Sequence, residues 1–345
     1  MMEIKVQSFP SHKGEITWFT LTNERGASVV LSSLGAGVVA VKLPQPDGTL
    51  LDVVIGYDNP EAYFADGPCA GKTPGRYANR IAKGHITIDG KKYDLPINNG
   101  PNHLHGGPDG YQNHVWNAAM DGDNVIFTLH SPDGDAGYPG AVDIKVTYTW
   151  DNENRLTMKY EAETDAPTYI NLTNHTYFNM NGHDSGTVLD HVLKMNCSEY
   201  LPTDATQIPL GDPAPVKDTP MDFTEGCKIG ARINDDFEAL KIGKGYDHSF
   251  MVDGYDGTLR EIATLTSEKN GRKVTVYSDQ PFAQVYTGNW LEGCPEGKGG
   301  CTYHDYDAVA IECQGAPDAP NNPKVPSQRL NPGEKYERTI CFKFD

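Results

Sequence analysis

Residues 171–180 read NLTNHTYFNM. Laid out as a strand, they put Asn171, Thr173, His175, Tyr177 and Asn179 on one face, because strand side chains alternate. A half-buried strand ordinarily sets an apolar face against a face of unspecific polar residues. Here one face is made wholly of hydrogen-bonding groups, two of them rings. A second chemically loaded stretch is VAIECQG, residues 309–315. Glu312 follows small apolar residues near a strand end, a position that is at least half buried. A buried carboxylate needs partners or a displaced pKa. A structural ion pair and a catalytic base fit that pattern equally.

Other stretches add polar candidates. GYDHSF (245–250) puts Asp247 and His248 on opposite faces of any strand. GRYANRIAKG (75–84) carries Arg76 and Arg80. One of them facing a ligand and one pairing with a buried carboxylate are equal readings. NHLHGG (102–107) holds His103 and His105, which would share a strand face and suit one metal. No third or fourth ligand follows at short spacing, so no metal is expected. One histidine facing a ligand is the favoured reading. GPCAGKT (67–73) is one residue short of a phosphate loop and contains Pro68, so that reading is rejected.

This inventory has one Glu, several His, Asp, Arg, Asn and Gln, no nucleophile elbow and no cofactor motif. It fits acid–base chemistry on a polyhydroxylated molecule. The polar row around His175 then reads as a wall of a sugar site.

The elements that must position these groups are strands. VIFTLHS (125–131), AVDIKVTYTW (141–150), RLTMKYEAET (155–164), REIATLTSE (260–268), KVTVYSD (273–279) and FAQVYTGNW (282–290) alternate with a period of two and are bounded by turn residues. Asn270-Gly271 is a hairpin signal. No helical stripe exceeds two turns; residues 58–66 and 219–232 are the best short-helix candidates. The pattern predicts an all-β sandwich. No linker or composition shift interrupts the 345 residues, so 1–345 is read as one domain.

A net charge of −18 argues against nucleic acid, whose binding rests on Lys and Arg, and against anionic membrane surfaces. An uncharged small molecule meets no such obstacle. Seven cysteines, an odd number without CxxC, suggest reduced thiols and a cytoplasmic protein. No signal peptide or membrane span is read.

GRYANRI, NHLHGG, SPDGDAGYPG, NLTNHTYFN, GYDHSF, QPFAQVYTGN, ECQGAPDAPNNP and LNPGEKYERTICFKF occur in that order. Together they resemble the aldose 1-epimerase, or galactose mutarotase, family from about residue 20 onward. The resemblance implies a single-domain β-supersandwich and cofactor-free interconversion of α and β anomers of free aldoses such as galactose and glucose. It places the general base on Glu312 and the general acid on His175. It places substrate contacts on Asn79, Arg80, His105, Tyr177, Asp247 and Gln280. The chain departs from the family pattern after the base, where Cys313, Gln314, Gly315 and Ala316 replace Thr-Gln-Asn-Trp.

In the implied reaction Glu312 takes the anomeric proton while His175 protonates the ring oxygen. The acid must start protonated. With an ordinary pKa near 6.5, roughly a quarter of such histidines are charged at pH 7. A neighbouring Asp247 or Glu312 is expected to raise that fraction. A glycoside hydrolase using Glu312 and Asp247, or a non-catalytic sugar-binding relative, is the alternative reading.

Overall fold

The computed structural model describes residues 2–345. Among the described residues, three large antiparallel sheets are joined by three two-stranded ones. The first is a five-stranded meander in sequence order, from Glu3–Ser11 to Leu50–Asp52. The second has nine strands. Asn117–Asp121, Asn124–Ser131, Val142–Trp150 and Arg155–Thr164 run in order, and Tyr336–Phe344 then joins the last of these to Lys273–Ser278 and Arg260–Thr266. The third has six strands, ordered Tyr177–Phe178, Val309–Gln314, Phe282–Tyr286, Asp247–Met251, Glu199–Tyr200, Ala214–Pro215. The largest buried cluster takes Leu21 and Leu31 from the first sheet, Phe127, Val146 and Phe342 from the second, and Phe250, Val285 and Ile311 from the third.

The six-stranded sheet carries the chemistry. Every residue of Val309–Gln314 is buried. Val309, Ile311 and Cys313 enter the core, so Ala310, Glu312 and Gln314 face the other way. Across the sheet Ser249 pairs with Gln284 and Gln284 with Glu312; one step along, Asp247 pairs with Tyr286 and Tyr286 with Ala310. Two adjacent cross-strand rows therefore bring Asp247, Gln284, Tyr286 and Glu312 to one face.

Strands predicted from alternation occur at Asn124–Ser131, Val142–Trp150, Arg155–Thr164, Arg260–Thr266 and Lys273–Ser278, and Phe282–Tyr286 ends four residues earlier than read. Residues 58–66 contain a 3-10 turn, Pro60–Phe64, capped by Asn59. The helix expected over 219–232 does not form; that stretch contains the strand Cys227–Lys228 and the 3-10 turn Ile229–Ala231. The α-helix, Glu238–Gly243, is six residues long.

The continuous strand read over 171–180 is also corrected: only Tyr177–Phe178 is strand. The asparagines spend their side chains on main chain, the competition that breaks regular ladders. Asn171 Nδ2 donates to the carbonyls of Ala78 and Gly315, Asn174 Nδ2 donates to the Gly71 carbonyl while its Oδ1 accepts from the Thr176 N–H, and Asn179 Nδ2 donates to the carbonyls of Gly186 and Asp307. Of the polar row, His175 and Tyr177 alone face the pocket described below.

Candidate active site

A pocket of about 620 Å³ opens over the exposed face of the six-stranded sheet, a size within the usual range for small-molecule sites. Glu312, Asp247 and Tyr286 from that sheet line it, with His175, Tyr177, His105, Asn79 and Arg80. Asn99, Gln207, Trp290 and Cys294 complete the rim.

His175 and Glu312 meet at its floor. His175 Nε2 lies 3.4 Å from Glu312 Oε1, and both side chains are almost wholly buried. The imidazole stacks on the Tyr177 ring at 4.9 Å, and the Tyr177 hydroxyl donates to the Pro68 carbonyl. Glu312 Oε2 and His175 Nδ1 have no protein partner. Burial raises the Glu312 carboxyl well above the ordinary carboxylate range, and the Asp247 charge adds to this. Burial lowers the His175 imidazole to about 4, although Asp247 pulls the other way. The protonated histidine expected from the sequence is thus corrected: desolvation outweighs the neighbouring carboxylate. Burial thus pushes both members of the pair toward their neutral forms, and the two titrate as a unit.

Arg80 and Asp247 form a second cluster. Arg80 Nη2 is 3.6 Å from Asp247 Oδ2. Arg80 Nε donates to Asn99 and Nη2 to Gln207 Oε1. Gln284 Nε2 donates to Asp247 Oδ1 and Gln207 Nε2 to Asp247 Oδ2, each at 2.6 Å. With both oxygens engaged by neutral amides, Asp247 is fixed as an acceptor.

His105 sits at a strand end, not on a shared face with His103. It has a left-handed φ of 51°, and the next residue, Gly106, has no room for a side chain: a Cβ there would lie 1.7 Å from the Gly75 carbonyl oxygen. The Asn79 N–H donates to His105 Nδ1. The proton of the neutral ring therefore sits on Nε2, which faces outward as a donor. His105, His175 and Glu312 place ligand-type atoms within 4.8 Å of one another. Nevertheless the tautomer fixed by Asn79 gives His105 an N–H where a metal needs a lone pair. His103 lies outside the pocket, bonded to the Pro96 carbonyl and the Tyr138 hydroxyl.

Gln280 does not line the pocket; its Nε2 donates to the Leu172 carbonyl and the Tyr336 hydroxyl. Gln284, in the same QPFAQVYTGN stretch, occupies the cross-strand position between Ser249 and Glu312 instead. Its alternation with Tyr286 was the signal available. Arg76, expected to pair with a carboxylate if structural, is buried among carbonyls and hydroxyls: Pro132, Pro139, Gly140, Tyr111, Ser131 and Thr168. Lys72 of the rejected phosphate loop is buried against Asp66 at 3.3 Å.

An all-β fold with a buried acid–base pair beneath a polar pocket defines a carbohydrate-type site. The aldose 1-epimerase family model matches residues 18–343, and the chain belongs to that family. It is 38% identical to galactose mutarotase of Homo sapiens over 97% of this chain and 96% of that protein. It is 36% identical to aldose 1-epimerase of Escherichia coli over 94% of each. Among solved structures, the galactose 1-epimerase of Lactobacillus acidophilus superposes with a TM-score of 0.86 at 30% identity, covering 100% of this chain and 99% of that one. An aldose epimerase homologue from C. elegans gives the same TM-score and identity over 99% of both chains.

Proposed function

We propose that this protein interconverts the α and β anomers of free aldohexoses such as galactose and glucose, with Glu312 and His175 moving the protons. The observation that carries the assignment is the 3.4 Å contact between these two buried groups beneath a polar pocket. Ring opening removes a proton from the anomeric hydroxyl and adds one to the ring oxygen; ring closure reverses both transfers. A carboxyl and an imidazole in contact can give one proton and take another in the same step. Rotation about C1–C2 in the open aldehyde exposes the other carbonyl face. Asn79, Arg80, His105, Tyr177 and Asp247 are read as substrate contacts; Gln284, not Gln280, is the glutamine of QPFAQVYTGN that reaches this cluster, where it holds Asp247.

The whole chain is read as one domain, because its largest core cluster draws on all three large sheets. Seven free cysteines support a reducing, cytoplasmic setting, and among the described residues no helix is long and apolar enough to cross a membrane.

The test is polarimetry on fresh α-galactose and α-glucose beside methyl and nitrophenyl galactosides. An epimerase needs a free C1 hydroxyl, so the free sugars should equilibrate quickly and the glycosides should stay intact. Release of methanol or nitrophenol at comparable rates would overturn the reading in favour of a hydrolase.

A further inference from the structure

Gln207 comes from a loop that no sequence motif marked, yet its amide bridges the two charged groups of the pocket. Its Oε1 accepts from Arg80 Nη2 at 2.5 Å and its Nε2 donates to Asp247 Oδ2 at 2.6 Å. The loop is built to hold it there. Asp204 Oδ1 accepts from the Thr206 N–H, the Thr206 hydroxyl and the Ile208 N–H. Thr203 bridges Pro209, and Asn102 Nδ2 donates to the Thr206 carbonyl. Gln207 itself has a left-handed φ of 63°, as do two other pocket residues, Asn79 at 64° and His105 at 51°. A non-glycine residue rarely adopts this conformation, so the surrounding contacts must hold it.

We infer that Gln207 is a specificity-determining residue, which holds the Arg80–Asp247 ion pair open at 3.6 Å so that each partner keeps hydrogen-bonding capacity for a vicinal pair of sugar hydroxyls. Without the bridging amide this ion pair would shorten to direct charge-assisted hydrogen bonds of about 2.8 Å, the geometry both groups favour. That pair would consume the donors and acceptor a sugar needs. With Gln207 in place, the second hydrogen of its Nε2 and the remaining guanidinium hydrogens are offered to one hydroxyl. The remaining lone pairs of Asp247 accept from its neighbour. The ligand class is an aldose with two adjacent free hydroxyls away from C1. This inference rests on the aldose reading above.

The experiment measures mutarotation kinetics of the purified wild type and of Gln207→Leu and Gln207→Asn. The substrates are galactose, glucose and their 2-, 3-, 4- and 6-deoxy analogues. Gln207→Leu should raise KM for the parent sugars about fivefold to tenfold, with a smaller change in kcat. The wild-type penalty for removing one of two adjacent hydroxyls should shrink in the variant, because a site built to bond a hydroxyl discriminates only while its partner is present. Asparagine tolerates the left-handed backbone but is too short to bridge, so Gln207→Asn should behave like Gln207→Leu; thermal melting checks that each variant is folded. A loss equal for every sugar, or one confined to kcat, would mean a structural role and would overturn this inference alone. A wild type that equilibrates no aldose would overturn the proposed function, and this inference with it.

Discussion

Glu312 and His175 make sense only together. Each is pushed toward its neutral form by burial, so neither resembles the pre-ionised base or pre-charged acid of a solvent-exposed site. What matters is the number of protons on the pair, not which atom carries them. Below about 4 the histidine takes up a second proton and no base remains. Wherever the protein stays folded, activity should therefore hold on an acidic plateau and fall as pH drops toward about 4. On the alkaline side it should fall when the pair loses its one proton. A kcat/KM profile checks this; activity disappearing as pH rises through about 6.5, the ordinary histidine value, would show that His175 works as a conventional charged acid. Glu312→Gln should lose on the order of 100-fold or more in turnover while keeping the melting temperature. His175→Asn should lose most activity, whereas His103→Asn should change it little, since His103 touches Pro96 and Tyr138 outside the pocket. A Glu312→Gln enzyme with half the wild-type turnover would end the assignment.

The strands that carry these side chains were largely legible because alternation reports which face is buried. Glu312 stood out as a carboxylate among small apolar residues, and the cross-strand pairing explains its place. Loops were not legible in the same way. Gln207 reaches the pocket through a turn fixed by Asp204, and nothing in the spacing of TDATQ ties it to Arg80. The row in NLTNHTYFNM was misread because asparagine side chains can serve main-chain groups as readily as a ligand. The helix Glu238–Gly243 is too short to show a stripe. Arg76 and Arg80 could not be separated by sequence either, and the structure sends them to opposite duties. Arg76 gathers three loop carbonyls and three hydroxyls in the interior. Arg76→Met would strand those acceptors, at a cost of about 3 kcal/mol or more. Chemical denaturation should show that loss, and an unchanged midpoint would mean that the loops repack around the methionine.

Across the molecule, burial has stored neutral histidines far beyond the site. His103, His175, His191 and His248 each have an imidazole lowered to about 4 by desolvation, and burial also holds His105 well below its ordinary value. In the unfolded chain the same rings return to an ordinary value near 6.5. Between these values the unfolded state binds the extra protons, so acid favours unfolding. The stability due to these neutral rings is present above about 6.5 and is lost as pH falls from there toward 4. Glu312 works in the opposite sense. Its raised pKa keeps a proton on the folded protein that the unfolded chain has released, which offsets one histidine. Asp279, Asp307 and Asp318, also raised by burial, trim the slope further at its acidic end. These five histidines less Glu312 leave four net protons, which at about 1.4 kcal/mol per pH unit each give a slope on the order of 5 kcal/mol per pH unit at its steepest. Urea denaturation at pH 7, 6 and 5 measures it directly. The unfolding free energy should drop sharply between pH 6 and pH 5, well before carboxylates at their ordinary values titrate. His191 lies outside the pocket, where its Nε2 accepts from the Met180 N–H. Replacing it with glutamine should therefore flatten the slope by about one proton without moving the acid limb of catalysis. A stability that stays level from pH 7 to pH 5 would mean that these rings are hydrated and charged in the folded protein.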